Sequence, residues 1–223
     1  MMKALYQIIE ECEDFIAVNK NHGVLSQSGK DASSSVFEVL KQENDNNFLH
    51  LLNRLDRPVG GLLILAKNRN FLKYYLGLQE RDQVEKRYVA IVEGLVDDAK
   101  VGIQRHFLSA DRRRKRAFIS SEKTEDAKEV ELNLQVIERF NHYTAIEIVL
   151  SGGKFHQIRA QLGFLGHPIR GDVKYGARRG HRDRSIDLHG HQMNWSSKNK
   201  GKKSIEAPII KNDHLWQMLV AQL

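Results

Sequence analysis

The order of apolar and polar residues along the chain predicts a succession of short strands with a few helices. Runs that alternate, or that are short, apolar and bounded by turn residues, predict strands at residues 14–19, 62–66, 88–92, 130–137 and 143–150. Apolar residues at helical spacing predict helices at residues 36–40, 69–80, 156–165 and 212–223. Because strands outnumber helices, we expect an α+β fold with a mixed, mostly antiparallel central sheet and flanking helices.

The composition is typical of a globular protein from a reducing compartment. The 223 residues are 41% apolar and 28% charged, and this length fits one large domain or two small ones. The single Cys12 has no internal partner for a disulfide. No apolar run approaches the roughly 20 residues that cross a bilayer, and the acidic N-terminal segment is unlike a secretory signal. We therefore expect a cytoplasmic protein without a membrane partner.

Positive charge is concentrated in the later part of the chain. Residues 1–50 contain four lysines and eight acids, so the remainder carries +11 against an overall net charge of +7. Basic residues cluster at 105–118, 154–184 and 198–211, and arginine predominates in the first two clusters. Because guanidinium groups match phosphate oxygens geometrically, the clusters favour a nucleic-acid partner over a merely solvated surface. Charge alone does not distinguish RNA from DNA, or binding from catalysis.

The segment NRLDRP at residues 53–58 places Asp56 between two arginines, in a loop before a predicted buried strand. Cationic neighbours lower the pKa of an aspartate, so we expect Asp56 to be ionised at neutral pH. An ionised carboxylate in a rigid loop can act as a nucleophile or a base. A structural ion pair that caps the loop is the alternative interpretation.

Two further segments carry candidate chemistry. In GGKFHQIR at residues 152–159, glycines precede a predicted helix whose N-terminus favours anions, and His156 and Arg159 share a helix face. Arg159 could pair with Asp56 and orient its carboxylate, although a phosphate-binding helix end without catalysis is equally consistent. In KRYVA at residues 86–90, the Tyr88 ring can project into a cleft and stack on an unpaired base. A tyrosine in a strand is more often a core residue.

No motif indicates a nucleotide cofactor or a metal. The phosphate-binding patterns GxxxxGK[ST] and GxGxxG are both absent. Although the chain has ten histidines, it has neither CxxC nor HExxH, and Cys12 is its only thiol. We therefore expect neither a cofactor nor a zinc site.

In this order, the three segments resemble the RluA-type family of pseudouridine synthases. The family patterns are H-R-L-D-x-x-[TS]-[SG]-G-L-L-[LIV]-x-A-K, K-x-Y-x-A-x-V-x-G, G-R-x-H-Q-[IL]-R and G-H-P-[IL]-x-G-D-x-x-Y-G. They correspond to residues 53–67, 86–94, 153–159 and 166–176, with an N-K-P-x-G turn at 19–23 and a late L-H pair at 188–189. The resemblance extends from about residue 14 to residue 208.

Some positions depart from the family pattern. The Asp, Tyr and Arg that the family uses chemically are present as Asp56, Tyr88 and Arg159. The departures therefore bear on substrate choice and loop rigidity more than on activity. They are Asn53 for the usual His, Val59-Gly60 for [TS]-[SG], Asn21 for the Pro of N-K-P, and Gly152-Gly153-Lys154-Phe155-His156 for T-G-R-T-H.

The resemblance implies an RNA pseudouridine synthase, an isomerase that acts on rRNA or tRNA and needs no cofactor or metal. It implies that the target uridine is flipped out of structured RNA, that Asp56 is the catalytic carboxylate kept ionised by Arg159, and that Tyr88 stacks on the uracil. Whether the aspartate attacks the sugar or the base, or assists glycal formation, stays open. The predicted RNA-binding residues are Arg54, Arg57, Arg112, Arg113, Arg114, Lys154, His156, Gln157, Arg178 and Arg179.

The resemblance also implies that residues 1–223 form a single catalytic domain without a separate N-terminal RNA-binding domain, since only about 13 residues precede the first matching strand. Without a heptad or a long apolar stripe, we expect a monomer. A catalytically silent RNA-binding module is the main alternative, which the departures at Asn53 and Val59 would support. A phosphoryl-transfer hydrolase is disfavoured because arginines, and no Mg²⁺-binding acidic cluster, flank Asp56.

Overall fold

Strands make up far more of the fold than helices in the computed structural model, which describes residues 4–28, 35–43, 48–111, 113–196, 201–210 and 213–220. Within these residues the strands are β1 (Tyr6–Glu11), β2 (Phe15–Lys20), β3 (His50–Leu51), β4 (Gly60–Ala66), β5 (Val84–Glu93), β6 (Gly102–Asp111), β7 (Arg116–Ser120), β8 (Lys128–Arg139), β9 (Tyr143–Leu150), β10 (Leu188–Ser196) and β11 (Lys202–Glu206). The helices are α1 (Val36–Glu43), α2 (Arg69–Glu80), α3 (Gln157–Phe164) and α4 (His214–Val220). None of these helices is long and apolar enough to span a membrane.

The chain divides into two compact units. The first comprises residues 1–86 and 189–223, and the second comprises residues 87–188. β1 to β4, β11 and nearly all of β10 belong to the first unit, together with α1, α2 and α4. The second unit contains most of β5, β6 to β9, and α3. That residues 1–223 act as one catalytic domain stays a prediction.

The sheet of the first unit is mixed, as the sequence predicts. Its strands lie in the order β1, β2, β4, β10, with β3 on β4 and β11 on β10. β1 and β4 pair antiparallel with β2, whereas β10 runs parallel to β4. Every residue of β2 and β4 is buried. Burial on both faces explains why the predicted strand at residues 62–66 is a continuous apolar run without alternation.

Helix α2 covers an aromatic core in the first unit and has the bounds that the sequence predicts. Its buried face consists of Phe71, Tyr75 and Leu78, which recur at helical spacing. The Trp195 ring meets Phe15 and Tyr75 edge-on, at ring-centre distances of 5.8 and 5.9 Å. Such edge-to-face pairs stabilise a core beyond the area that they bury. This core lies beneath β4, the strand that follows Asp56.

The sheet of the second unit places its strands in the order β5, β9, β8, β6, β7, and the pairs from β9 to β7 are antiparallel. β8 and β9 confirm the predicted strands at residues 130–137 and 143–150, and β8 buries alternate apolar residues. Residues 105–118, which the sequence identifies as a basic cluster, were not predicted as strands. In the structure most of this cluster lies on β6, β7 and the turn between them.

Gly61 lies where β4 pairs with β10. Its backbone has a φ of +119°, which side-chain-bearing residues rarely adopt. A Cβ at this position would lie 2.3 Å from the carbonyl oxygen of Gly190, its partner in the parallel pair. Gly61 is therefore required by this backbone contact, immediately after the turn that carries Asp56.

We predict that Gly61→Ala destabilises the protein by at least about 2 kcal/mol, because the methyl group meets backbone and φ is unfavourable. Urea unfolding followed by circular dichroism measures the change. Gly77→Ala in α2 is the matched control, since its Cβ would lie 3.6 Å from one side-chain nitrogen of Arg81. The control should stabilise the helix by about 0.5–1 kcal/mol. Unchanged stability of Gly61→Ala would contradict the assigned close approach.

Candidate active site

Asp56 lies in the turn between β3 and β4, in the first unit. Its backbone carbonyl accepts a hydrogen bond from the Val59 amide at 3.0 Å, which closes the turn. The Asp56 side chain is half-buried, whereas the flanking Arg54 and Arg57 are exposed. The turn therefore shields the carboxylate partly from water and leaves both neighbouring guanidinium groups accessible to a ligand.

The residues on either side of Asp56 are tied to the segment that follows β2. Arg57 and Gly23 bond reciprocally: the Gly23 amide donates to the Arg57 carbonyl at 2.8 Å, and Arg57 Nε donates to the Gly23 carbonyl at 2.9 Å. The Ser26 hydroxyl donates to the Leu55 carbonyl at 2.7 Å and accepts from the Leu55 amide at 3.1 Å. These four bonds restrain the backbone directly before and after the carboxylate.

Asn53, which replaces the histidine of the family pattern, fixes the start of the same turn. Its Nδ2 donates to the Leu62 carbonyl at 2.8 Å, and its Oδ1 accepts from the Ile64 amide at 2.9 Å. The side chain thus bonds to β4 as another strand would. Gly60, which matches the family pattern, leaves room for His22, whose Nε2 would lie 2.5 Å from a Cβ there. Both residues fit a turn that is held in place.

Lys20 is a site residue that the sequence analysis did not single out. It ends β2 and is fully buried, with its Nζ donating to the carbonyls of Val24 at 2.8 Å and Asn21 at 3.1 Å. Burial lowers the pKa of Lys20 to about 7, and the negative charge of Asp56 opposes that shift. Near neutral pH the Lys20 side chain is therefore present both as the charged ammonium and as the neutral amine, beside the candidate carboxylate. The available signal was its place as the lysine of the turn motif at residues 19–23.

His189, from the late L-H pair, is fully buried near this lysine. Burial lowers its pKa to about 3, so the imidazole is neutral at physiological pH. Its Nε2 lies 3.1 Å from the carbonyl of Ala207, which places the proton on Nε2. Among the described residues its Nδ1 has no hydrogen-bond partner. A neutral imidazole with its proton bound to backbone is suited to packing rather than to proton transfer.

Arg159 is buried in the second unit and makes a two-pronged ion pair with Asp172. Its Nε donates to Asp172 Oδ2 at 2.7 Å and its NH2 to Oδ1 at 2.9 Å. Both side chains are almost inaccessible, at 7% and 1%. The third nitrogen, NH1, lies 3.1 Å from His156 Nε2, so the predicted proximity of His156 and Arg159 is confirmed. The Asp172 carboxylate matches the fork of the guanidinium and balances its permanent charge.

His156 and Tyr175 complete the surroundings of Arg159. The Tyr175 hydroxyl oxygen accepts from the Ala117 amide at 2.9 Å and lies 2.8 Å from His156 Nδ1. Since a guanidinium only donates, the Nε2 of His156 accepts from Arg159, and its proton resides on Nδ1, which donates to Tyr175. The Arg159 guanidinium carbon also lies 5.1 Å from the centre of the Tyr175 ring. Arg159, His156 and Tyr175 thus each contact the other two, and these contacts fix their orientations.

Tyr88 lies on β5 in the second unit and is half-buried, so it is neither a core residue nor fully exposed. The preceding Arg87 pairs with Glu147 on β9 at 3.1 Å, which holds the strand beside its neighbour. Lys86 of the same motif belongs to the first unit and is buried, and burial lowers its pKa to about 8. A half-buried ring at this position is compatible with the predicted stacking role.

Most predicted RNA-binding side chains are accessible to a ligand. Those exposed are Arg54, Arg57, Arg113, Arg114, Lys154, Arg178 and Arg179, and His156 is half-buried. Gln157 differs, because it is 5% exposed and its amide accepts from the Lys154 amide and donates to the Glu131 carbonyl, both at 3.0 Å. It positions the loop before α3. Arg112 lies outside the described residues.

Of the three predicted catalytic residues, Asp56 belongs to the first unit, and Tyr88 and Arg159 belong to the second. The predicted pairing of Asp56 with Arg159 joins residues of different units and stays a prediction. In the part of the chain that the structure describes, no three His, Cys, Asp or Glu side chains are grouped to hold a metal ion.

Comparison with known proteins identifies related sequences. A family model described as RNA pseudouridylate synthase matches residues 14–163. The ribosomal large subunit pseudouridine synthase C of Buchnera aphidicola subsp. Acyrthosiphon pisum (strain APS) is 29% identical over 214 residues, which are 92% of this chain and 68% of that protein. The protein of the same name from Pasteurella multocida (strain Pm70) is 32% identical over 175 residues, with 76% and 52% covered. The chain thus spans between about half and two thirds of these relatives.

Solved structures share the fold. The human RNA Pseudouridylate Synthase Domain Containing 4 matches with a TM-score of 0.76 at 19% identity, over 97% of this chain and 92% of that one. The human RNA Pseudouridylate Synthase Domain Containing 1 matches with a TM-score of 0.73 at 21% identity, over 97% and 95%. These similarities confirm the predicted α+β fold with a mixed sheet.

We predict that Asp172→Asn lowers the free energy of unfolding by about 3–5 kcal/mol, because it leaves the Arg159 guanidinium buried without a counter-charge. Chemical denaturation measures the loss. Glu131→Gln is the matched control, because it neutralises the carboxylate of an exposed pair with Arg105, at 2.7 Å and with side chains 49% and 64% accessible. The control should cost less than about 1 kcal/mol. Equal losses in the two variants would contradict a special role for the buried pair.

We predict that wild type gains stability relative to Lys20→Met as the pH rises from about 7 to about 10. The pKa of Lys20 is about 7 in the folded state and about 10.4 in an unfolded chain. Between these values the unfolded state binds the extra proton, so raising the pH favours the folded state, by at most about 1.4 kcal/mol per pH unit. Unfolding in urea at several pH values tests this. Exposed Lys73→Met is the control, and a pH-independent difference for Lys20→Met would refute the prediction.

Proposed function

Because this chain belongs to the RNA pseudouridylate synthase family, we propose that it isomerises uridine to pseudouridine in RNA and that Asp56 is the catalytic carboxylate. The observation that carries this proposal is the restraint of the Asp56 turn on both sides, by Arg57 with Gly23 and by Leu55 with Ser26. A carboxylate that must act at one atom of a sugar benefits from such positioning.

The reaction breaks the N1–C1′ bond of uridine and joins C1′ to C5 of the same base. C5 loses its proton and N1 ends with one, so the base and sugar gain and lose no atom. The proposal therefore includes no redox cofactor, nucleotide or metal. Asp56 either forms a bond to C1′ or the base, or takes a proton on the route to a glycal. Each route requires its ionised form.

Tyr88 and Arg159 have supporting roles in this proposal. The half-buried Tyr88 ring would stack on the flipped uracil, since an aromatic face accepts any base. Arg159 would pair with Asp56 and keep it ionised. A guanidinium has five N–H donors, and the contacts with Asp172 and His156 use three of them, so the bond to Asp172 is compatible with a second carboxylate partner.

The proposed substrate is structured RNA, with rRNA favoured over tRNA because the relatives from Buchnera aphidicola and Pasteurella multocida are named as acting on the ribosomal large subunit. The exposed arginines around Asp56, Arg54 and Arg57, would contact phosphate or fill the space left by the flipped base. Phosphate contacts offset the few kcal/mol that base flipping costs. We propose that the protein acts as a monomer in the cytoplasm.

The central prediction is that Asp56→Asn abolishes pseudouridine formation, by roughly 10³-fold or more, while RNA binding survives. rRNA from a strain that lacks the protein is mapped for missing pseudouridines and then treated with wild type or variant, and binding is measured on the same RNA. Asp82→Asn is the matched control, because Asp82 is exposed and its left-handed backbone, with φ of 53°, tolerates asparagine.

Wild-type-like turnover by Asp56→Asn would refute the assignment of the carboxylate. If wild type binds the RNA but restores no pseudouridine, the silent RNA-binding module becomes the better interpretation. If the deletion strain lacks no pseudouridine in rRNA, tRNA from the same strain is mapped next, as the second substrate of the proposal.

A further inference from the structure

A continuous series of rings and a guanidinium group crosses the second unit, with exposed phenylalanines at its ends. We call it the ring series and define it as Phe155, His156, Tyr175, Arg116 and Phe118. The Phe155 and His156 rings stack with centres 3.9 Å apart, and His156 meets Tyr175 edge-on at 5.6 Å. The Arg116 guanidinium carbon lies 5.4 Å from the Tyr175 ring centre and 5.6 Å from that of Phe118.

Both terminal rings are accessible to a ligand. Phe155 is 45% exposed and Phe118 is 41% exposed, so each keeps a substantial part of an apolar surface in water. Arg116 is exposed as well, on the same side of β7 as Phe118, while Ala117 between them is buried. Alternation along the strand therefore turns a guanidinium and a ring outward together.

The inner members hold the outer ones in place. Tyr175 is 7% exposed and is fixed by the Ala117 amide on β7, while His156 has a left-handed backbone with φ of 53°. That conformation is unfavourable for a residue with a side chain, and it occurs here at the residue on which Phe155 stacks. A ring that is already oriented loses little conformational entropy when a ligand binds to it.

Positive charge surrounds the ring series. The turn between β6 and β7 contributes Arg113, Arg114 and Lys115, all exposed. Lys174 Nζ reaches the Lys115 carbonyl at 2.8 Å, which brings a further cation to this turn. Lys154 is exposed directly before Phe155. Asp111, which is 3.6 Å from Arg114 Nε, offsets only part of this charge.

Alternating exposed rings and cations match the chemistry of an unpaired polynucleotide, because each nucleotide presents one flat base and one phosphate. We propose that the ring series binds single-stranded nucleotides of the substrate RNA, with Phe118 and Phe155 stacking on bases and the surrounding cations contacting phosphates. This inference rests on the proposed function and adds to it Phe118 and Phe155, which the family pattern does not contain. A duplex would hide the base faces that these rings require.

The test compares two RNA probes on the full chain by fluorescence anisotropy at fixed salt. One probe is oligouridylate of about 12 nucleotides, a length within the site sizes of single-strand binders, and the other is an abasic strand with the same number of phosphates. Wild type should bind oligouridylate more tightly. Phe118→Leu and Phe155→Leu should each weaken oligouridylate binding by about 5- to 150-fold and leave abasic binding unchanged.

Three controls separate stacking from charge and from misfolding. Phe118→Tyr and Phe155→Tyr keep the ring and should bind like wild type. Phe164→Leu removes a comparably exposed ring, at 49%, outside the ring series, and should change nothing. Replacing both Arg113 and Arg114 by glutamine should weaken the two probes alike and flatten the salt dependence by roughly 0.7 per lost phosphate contact. Unfolding temperatures confirm that every variant folds.

Equal binding of the two probes by wild type would overturn the inference, and so would wild-type affinity in both leucine variants. If only one leucine variant loses affinity, stacking is supported for that ring and refuted for the other. Failure of the proposed function is recognised separately, as absence of pseudouridine formation while ring-dependent binding persists. Normal pseudouridine formation with ring-independent binding would refute the ring series alone.

Discussion

Each unit of this protein buries a cationic side chain beside its candidate chemistry, and a buried charge must be either neutralised or paired. In the first unit Lys20 can lose its proton, and burial brings its pKa to about 7 while two backbone carbonyls hold the amine. In the second unit Arg159 cannot lose its charge, so a buried carboxylate, Asp172, matches it with two bonds. The choice of lysine or arginine thus decides whether the local charge responds to pH.

The same two cations organise the segments around them. The carbonyls that hold Lys20 belong to the segment after β2, and Gly23 and Ser26 of the same segment bond to the backbone on either side of Asp56. In the second unit, Arg159 packs against the Tyr175 ring, and Tyr175 bonds to the backbone of β7. In each unit, the segment that bonds to the buried cation therefore also positions residues of the candidate site.

Apolar patterning was sufficient to predict the elements that bury a regular face. Helix α2 and strand β9 have the predicted bounds, β2 is shifted by one residue, and β4 and β8 extend the predicted strands by a few residues. The β6–β7 hairpin and β1 were missed because polar and charged residues occupy many of their positions, although burial alternates along β6. Charged side chains on exposed strand faces hide the strand in the sequence, and only pairing across the hairpin reveals it.

The contacts of a site residue could be predicted when its partners lie in the same short segment. They could not be predicted when its partners are carbonyls or carboxylates from elsewhere in the chain. The Asp56 turn and the contact of His156 with Arg159 follow from local spacing. The role of Lys20 depends on carbonyls that face its amine only after β2 is buried, and Asp172 is the partner of Arg159 by virtue of a loop 13 residues away. The resemblance implies that Gln157 contacts RNA, and in the structure its side-chain amide bonds to the Lys154 amide and the Glu131 carbonyl.

The departures from the family pattern are of two kinds. One kind concerns the turn that carries the candidate catalytic carboxylate, and the other concerns the surface proposed to bind RNA. Asn53 replaces a side chain in the turn and supplies its own bonds to β4, so it leaves the carboxylate in place. Phe155 instead adds an exposed ring beside Lys154. Phosphate contacts position RNA without reading its sequence, and stacking accepts every base. If the ring series binds RNA as proposed, neither of its contacts selects the uridine. The choice of the target uridine must then depend on RNA shape. A uridine would be selected when its neighbouring nucleotides can unstack and reach the ring series.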